Sequence, residues 1–229
     1  MKNVYILIIM IFAISLLFAL TEVEKLYNTG IDYLNIGEYS KAIECFTKAL
    51  ELSPNDPDIW YNKGIAHKKL SEFNRALECY DKAIELNPTL TLALDAKSVL
   101  LMDMKDYENA ISCCDRFLEL EPYNAKIWSR KGTALYYLGR YDEAMDCSDR
   151  AIEINPKVAD AWFNKGNILF SQKMYREAIE CYSKAVDIDP TFASAWHNMG
   201  VSYKAIYEFE KARECFEKED KLKESKFTW

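Results

Sequence analysis

The sequence repeats with a period of 34 residues, and this period constrains the fold more than any other feature. Six units follow one another without insertion or deletion, at residues 23–56, 57–90, 91–124, 125–158, 159–192 and 193–226. A fixed period of roughly 20 to 50 residues is typical of repeat proteins, in which one unit cannot bury its own apolar face and must stack on its neighbours. The sequence therefore predicts a linear array of six similar units.

Positions that the units share have simple mechanical explanations in a pair of packed helices. Small residues at positions 8 and 20 of a unit let two helices approach within about 8–10 Å, and tryptophan at position 4 fills the space between neighbouring helices. Proline at position 32 ends the second helix of each pair. The residues are Gly30, Gly64, Gly132, Gly166 and Gly200 at position 8, Ala42, Ala76, Ala110, Ala144, Ala178 and Ala212 at position 20, Trp60, Trp128, Trp162 and Trp196 at position 4, and Pro54, Pro88, Pro122, Pro156 and Pro190 at position 32.

This pattern resembles the tetratricopeptide repeat (TPR). The motif W-x2-K-G at Trp60–Gly64, alanine at position 20, an aromatic at position 24 and proline at position 32 carry the resemblance, which covers residues 23–226. It implies an all-α, right-handed superhelical solenoid of six helix-turn-helix repeats. It also implies that a protein or peptide binds in a concave groove.

The third and sixth repeats depart most from the pattern. In the third, Leu94 replaces tryptophan and Ser98 replaces glycine. Cys114 also stands in place of an aromatic residue, and Phe117 stands in place of alanine. The loss of one large side chain and the gain of another predicts a compensated repacking. In the sixth, Glu219 and Asp220 stand where other repeats are apolar. This predicts a solvated C-terminal cap, because terminal repeats expose a face that internal ones bury.

An apolar segment, residues 1–21, precedes the repeats. Residues 4–20 are apolar except Ser15 and follow Lys2, which is the short end of what spans a membrane as a helix. The segment is either a single-pass anchor, with the repeats outside the cytoplasm by the positive-inside tendency, or a secretory signal that is cleaved to release them. The sequence Thr21-Glu22-Val23-Glu24 resembles a capping box and predicts that the first repeat helix begins there.

Candidate binding residues follow from the positions that line the inner surface in this family. Asparagine at position 6 can pair with an extended peptide backbone of any sequence, although it is also a common structural choice there. Aromatic residues at other inner positions are typical carriers of interface energy, or else are simply half-buried between hairpins. The candidates are Asn28, Asn62, Asn164 and Asn198, the aromatics Tyr27, Tyr61, Tyr136, Tyr137, Phe163 and Phe170, and Lys126, Arg130 and His197.

A second device of the family, a basic clamp for a terminal carboxylate, is matched only in its last part. Lys126 and Arg130 occupy the expected places, but Tyr61, Ile65 and Ala96 replace the upstream basic and amide residues. Acidic and basic residues are balanced at the inner positions, while the whole chain carries a net charge of -7. Nucleic acid is thus a poor partner.

Cysteine occupies position 23 of every repeat, with Cys114 as a seventh. Equivalent positions in successive repeats lie about 8–10 Å apart, which is too far for a disulfide, so these residues are predicted to be small buried hydrophobes. Neither a metal site nor a catalytic pair is indicated around His67 and His197, and no cofactor or small-molecule substrate is expected.

Two functions remain open at this point. One is a non-catalytic scaffold that binds an extended peptide or partner segment at a membrane. The other is a structural module that associates with itself, for which the apolar tail at residues 227–229 is the motivation.

Overall fold

The computed structural model describes the backbone of residues 2–225 and the side chains of residues 5, 10 and 20–224. Over this range the chain forms twelve α-helices and no strand. They are α1 (Lys2–Asn35), α2 (Tyr39–Leu52), α3 (Pro57–Lys69), α4 (Phe73–Leu86), α5 (Thr91–Asp103), α6 (Tyr107–Leu120), α7 (Ala125–Tyr137), α8 (Tyr141–Ile154), α9 (Ala159–Ser171), α10 (Tyr175–Ile188), α11 (Ala193–Ala205) and α12 (Phe209–Ser225). The predicted all-α array of helix-turn-helix repeats is confirmed.

The chain has two compact units, Met1–Leu100 and Leu101–Trp229. In the N-terminal unit α1, α2, α3 and α4 pack in sequential order, and in the C-terminal unit α6 to α12 do the same. Within the C-terminal unit the first helix α9 also contacts the first helices α7 and α11, whereas no two second helices among residues 101–225 make a comparable contact. The first helices of this unit therefore form a continuous face.

The crossing of the two helices in a hairpin is closed by glycine against an aromatic ring. A Cβ atom added to Gly166 would lie 2.6 Å from the ring of Tyr182, and one added to Gly30 would lie 2.5 Å from the ring of Phe46. Around Gly132 the nearest atoms are 3.3 Å away, because Ser148 occupies the place of the ring. The predicted role of the small residues at position 8 is thus confirmed.

Successive repeats are joined by a hydrogen bond that we call the Trp–Pro clasp. The indole Nε1 at position 4 donates to the proline carbonyl at position 32 of the preceding repeat. The pairs are Trp60–Pro54 at 2.8 Å, Trp128–Pro122 at 2.8 Å, Trp162–Pro156 at 3.0 Å and Trp196–Pro190 at 3.0 Å. A second contact follows the same register, because Lys131 pairs with Asp115 at 2.6 Å and Lys165 pairs with Asp149 at 2.5 Å.

The turn inside each hairpin contains one left-handed residue at position 15. Only Gly37 and Gly139 are glycines there, and the others are Ser71, Lys105, Lys173 and Tyr207, with φ between 60° and 65°. The backbone N–H groups that follow the first helix donate back to its last turn, as in Glu38 to the Tyr33 carbonyl at 2.9 Å and Gly37 to the Leu34 carbonyl at 3.2 Å. This is the Schellman pattern, which satisfies carbonyls that the helix end leaves unpaired.

The predicted helix start at residues 21–24 is wrong, because α1 runs from Lys2 through these residues to Asn35. No glycine or proline occurs before Gly30, so nothing in the sequence interrupts the helix. Among the described residues, no helix is both long enough and apolar enough to cross a membrane. Most side chains of residues 4–20 lie outside the described part, so the anchor or signal remains a prediction.

The prediction of a solvated cap is wrong for Glu219, which is only 7% exposed. Its carboxylate accepts from His197 Nδ1 at 2.8 Å and from Lys223 Nζ at 2.5 Å. Burial alone would raise the pKa of Glu219, but the hydrogen bonds from Lys223 and His197 outweigh it and the pKa lies below its ordinary value. The charged carboxylate is tolerated at this buried position because His197 and Lys223 both pair with it.

Candidate functional site

The first helices of the N-terminal unit bring four of the predicted residues onto one face, Tyr27 and Asn28 from α1 and Tyr61 and Asn62 from α3. The amide of Asn62 donates to the Tyr27 hydroxyl at 3.0 Å and to the Asp58 carbonyl at 2.8 Å. Asn28 is exposed to solvent. The Asn62 amide therefore ties neighbouring repeats together, and Asn28 is the asparagine of this face that is open to a ligand.

The two tyrosines of this face pack against aromatic residues of the second helices. Ring centroids lie 6.1 Å apart between Tyr27 and Phe46 and 6.2 Å apart between Tyr61 and Tyr80. Both tyrosines are half-buried. Each tyrosine packs within its hairpin and also leaves part of its side chain exposed. The two interpretations, burial between helices and availability to a ligand, therefore each apply to part of the side chain.

Carboxylates dominate the charge at this end of the molecule. A cleft of about 240 Å³ is lined by Leu20, Val23, Glu24, Tyr27, Asp56, Asp58 and Ile59. Burial raises the pKa of Tyr27, and the nearby carboxylates Asp58 and Asp56 raise it further. An incoming group with positive charge would be favoured here over an anion.

The C-terminal unit presents a different set on its first-helix face. Lys126 and Arg130 lie on α7, Asp160 and Phe163 on α9, and His197 on α11. Desolvation by surrounding protein raises the pKa of Asp160, as does Asp189, while Lys126 and Arg130 lower it. The side chain of Asp160 is nevertheless exposed. It lies in a recessed, solvent-accessible place beside two cations.

The remaining asparagines at position 6 face the preceding repeat. The Asn164 amide, only 4% exposed, donates to the Ser129 carbonyl at 3.1 Å and to the Thr133 hydroxyl at 2.7 Å. The Asn198 amide donates to Asn167 Oδ1 at 2.8 Å, and the same oxygen accepts from the Tyr182 hydroxyl at 2.9 Å. Sequence reasoning did not single out Ser129, Thr133 or Asn167, although their side chains orient the predicted amides.

Two further predicted residues, Tyr136 and Tyr137, lie at the end of α7 and turn toward the hairpin edge. The ring of Tyr137 stacks on Tyr107 with centroids 4.9 Å apart, and the ring of Tyr136 lies 5.6 Å from that of Tyr141. Phe170 makes the equivalent contact with Tyr175 at 5.3 Å. These aromatics form a group of their own, distinct from Phe163, whose ring packs on Tyr182 and Phe192.

Both histidines are paired with carboxylates rather than with a nucleophile. His197 contacts the ring of Phe216 as well as Glu219, and the buried His67 is bonded to Glu72 at 2.6 Å. Cysteine at position 23 is buried in all repeats except the first, where Cys45 is half-buried. Burial raises the pKa of Cys79, Cys147, Cys181 and Cys215 to about 11. These thiols behave as the predicted small hydrophobes, because a thiol with so high a pKa is a poor nucleophile at neutral pH.

Family models decide which kind of repeat this is. A tetratricopeptide repeat model matches residues 57–90, 125–158 and 159–192. A TPR repeat model matches residues 30–71, and two further tetratricopeptide models match 93–124 and 181–214. The chain belongs to the tetratricopeptide repeat family. The degenerate third repeat is thus recognised as a TPR as well.

Solved TPR structures share the fold. MamA is 26% identical, with a TM-score of 0.63 over 72% of this chain and 97% of its own. YrrB, described as a TPR protein with an unusual peptide-binding site, is 29% identical, with a TM-score of 0.60 over 79% of this chain and 93% of its own. A TPR protein from Parabacteroides merdae has a TM-score of 0.77 at 18% identity, over 86% of this chain and 78% of its own. No curated protein matches the sequence.

Proposed function

We propose that the protein is a non-catalytic scaffold that binds an extended peptide or partner segment on the face formed by its first helices. The face of the C-terminal unit is the observation that carries this proposal. There, three adjacent first helices carry Lys126, Arg130, Asp160, Phe163 and His197, and we propose that a chain running across these repeats meets them. YrrB supports it, since that protein has a peptide-binding site.

The energy of binding comes chiefly from the charges and rings in this proposal. The amides of Asn62, Asn164 and Asn198 already donate within the protein, so a peptide that used them would exchange one hydrogen bond for another. A neutral hydrogen bond contributes only about 0.5–1.5 kcal/mol, whereas micromolar affinity needs about 8 kcal/mol. In the C-terminal unit, the aromatic anchor Phe163 and the ions around Asp160 are the remaining sources.

The first-helix faces of the two units differ in charge. Glu24 and Asp58 lie on the first helices of the N-terminal unit, and Lys126 and Arg130 lie on a first helix of the C-terminal unit. We propose that the face of the C-terminal unit receives an acidic residue of the ligand at Lys126 and Arg130.

A selection from a random peptide library displayed on phage tests this proposal. Wild-type protein is expected to enrich peptides that carry acidic residues, and Lys126→Ala combined with Arg130→Ala should abolish the enrichment. Lys48→Ala, which removes an exposed cation of α2, is the matched control. Enrichment that survives in the groove variant, or that is lost equally in the control, would show that peptides bind elsewhere.

Membrane attachment through residues 4–20 is a separate proposal, with the repeats outside the cytoplasm. It rests on the apolar sequence of that segment. An anchored protein should remain with membranes after alkaline carbonate extraction and should leave them when residues 2–20 are deleted, whereas a cleaved signal would be absent from the mature chain by mass spectrometry. Self-association is the alternative proposal, and its motivation, the apolar tail at residues 227–229, lies outside the described part of the chain. This proposal predicts that deletion of these residues lowers the oligomeric state measured by light scattering.

A further inference from the structure

His197 stands at a position of the first-helix face that is aromatic in other repeats. Tyr27, Tyr61 and Phe163 occupy this place, position 5, and each packs against an aromatic residue of its own second helix. The His197 ring makes the equivalent contact with Phe216, with centroids 5.7 Å apart. The packing contact is thus kept, while the ring brings two nitrogen atoms to the face.

A second departure from the repeat pattern lies beside this ring. Position 27 is alanine in four repeats and phenylalanine in the third, but in the sixth it is Glu219. Its buried carboxylate accepts from His197 Nδ1 at 2.8 Å and, through its other oxygen, from Lys223 Nζ at 2.5 Å. Replacing buried ions by apolar side chains is often neutral or stabilising. Packing alone therefore does not account for Glu219.

The charge of Glu219 decides which nitrogen of His197 carries the proton. Burial raises the pKa of this carboxyl, but hydrogen bonds from Lys223 and His197 outweigh it, so the pKa lies below its ordinary value. The group is therefore ionised at neutral pH, and an ionised carboxylate can only accept hydrogen bonds. His197 Nδ1 must donate, and in the neutral ring Nε2 then carries a lone pair instead of a hydrogen atom.

Nε2 is the nitrogen of His197 that is left for a ligand. The side chain is 49% exposed, and Nε2 makes no hydrogen bond within the part of the chain whose side chains the structure describes. Lys223 already supplies a positive charge to Glu219, so the carboxylate does not require His197 as a second cation. His67 is paired with Glu72 in the same way, but it is only 6% exposed and its ring is closed to a ligand.

We propose that His197 Nε2 accepts a hydrogen bond from an uncharged side chain of the bound peptide, a serine, threonine or asparagine, and that Glu219 is the positioning residue for this contact. The inference rests on the proposed function, because it assigns chemistry to the same face. A segment that meets Lys126 and Arg130 on α7 reaches α11 across α9, which contacts both helices. The two cations disfavour a positively charged donor.

NMR tests the tautomer without a ligand. With ¹⁵N-labelled histidine, long-range ¹H–¹⁵N spectra at about pH 8, above the ordinary titration range of histidine, should show a protonated Nδ1 and an unprotonated Nε2 for His197. The chain has two histidines, and His197→Phe assigns the signals by their loss. A protonated Nε2 in the wild-type protein would overturn the proposal.

Two variants of α12 separate positioning from folding. Glu219→Ala copies the residue of four other repeats, and it should redistribute the proton of His197 between the two nitrogens. Glu217→Ala removes an exposed carboxylate of the same helix and should leave the tautomer as it is. Circular dichroism should show the same helix content in both. An unchanged tautomer in Glu219→Ala would overturn the positioning role.

The random peptide library tests recognition. Wild-type protein is expected to enrich peptides in which serine, threonine or asparagine stands at a fixed spacing from the acidic residue. His197→Phe, which keeps a ring as Phe163 does, should still enrich acidic peptides but without this preference. In a synthetic copy of the most enriched peptide, replacing the donor by alanine should weaken binding to the wild type about threefold to tenfold. The same replacement should leave binding to His197→Phe unchanged in fluorescence anisotropy.

The outcomes distinguish this inference from the proposed function. Acidic peptides without a donor preference, or a preference that survives in His197→Phe, would overturn the role of His197 and leave the proposed function standing. A second acidic residue at the fixed spacing, lost in His197→Phe, would show that His197 acts as a cation and would also overturn it. Absence of any enrichment by the wild-type protein would refute the proposed function, and this inference with it.

Discussion

Adding one methyl group at position 8 should have opposite effects in two neighbouring repeats. In Gly166→Ala the new Cβ would lie 2.6 Å from the Tyr182 ring, closer than carbon atoms can approach. That ring is fully buried, and its hydroxyl is bonded to Asn167 at 2.9 Å, so it cannot swing away. In Gly132→Ala the nearest atoms are 3.3 Å away and include the Ser148 hydroxyl, which can move by a few tenths of an ångström.

The expected magnitudes follow from two opposing effects. Replacing glycine by alanine inside a helix stabilises it by about 0.5–1 kcal/mol. Overpacking a tight core costs about 1–3 kcal/mol, and this cost should fall on Gly166→Ala alone. The two variants should therefore differ by about 2 kcal/mol in the free energy of unfolding, or about 4–8 °C in thermal midpoint for a chain of this size.

Urea and thermal unfolding followed by circular dichroism would measure this difference within one compact unit, since both glycines lie in the C-terminal unit. A double-mutant cycle locates its cause. Tyr182→Ser copies the serine of the fourth repeat, and combined with Gly166→Ala it should be more stable than the sum of the single effects by about 1–3 kcal/mol. Additive effects, or an equal cost at Gly132, would refute the steric argument.

Other predictions concern the hairpin turns, the buried carboxylate and the thiols. Lys173→Gly should stabilise the protein by about 1 kcal/mol because it relieves a left-handed residue, whereas Gly139→Ala should destabilise it by a similar amount; the order of the urea midpoints checks this. Because the pKa of Glu219 is lowered on folding, its contribution to stability is present above the ordinary glutamate value of 4.5 and is lost as the pH falls through the lower folded value. Glu219→Gln should thus be less stable at neutral pH and should flatten the loss of stability in acid, and an unchanged acid profile would count against the pairing with Lys223 and His197. With Ellman's reagent, Cys45 should react first in the native protein, and the four thiols whose pKa is raised to about 11 should react only on unfolding; uniform reaction of all thiols would contradict their burial.

Residues with a steric role in the repeat could be predicted from the sequence because the same contact recurs within each short hairpin. The small residues at position 8 and the prolines at position 32 are of this kind. The hydrogen-bond acceptors of the Asn62 and Asn164 amides were harder to predict, because acceptors of both amides lie in the preceding repeat, up to 35 residues away. Their type indicated hydrogen bonding, but only the packing of adjacent first helices decides that the partner is the protein itself.

Two failures have the same physical origin. Glu219 was expected in solvent because a carboxylate at an apolar position usually is, but its partners come from α11 and from the next turn of α12. The left-handed residue at position 15 could not be predicted from the sequence, because in four repeats the position is occupied by serine, lysine or tyrosine and not by glycine. In both cases the neighbours decide the outcome against the ordinary preference of the residue.

The Trp–Pro clasp sets a rule for how the length of this chain can change. Each clasp joins residues six apart at 2.8–3.0 Å, so one extra residue between them would separate the indole from its carbonyl and shift every later helix out of register. A complete 34-residue copy inserted at the same place brings a new tryptophan and a new proline, so both junctions are restored. The chain can therefore gain or lose only whole repeats, and each added repeat lengthens the surface offered to a partner.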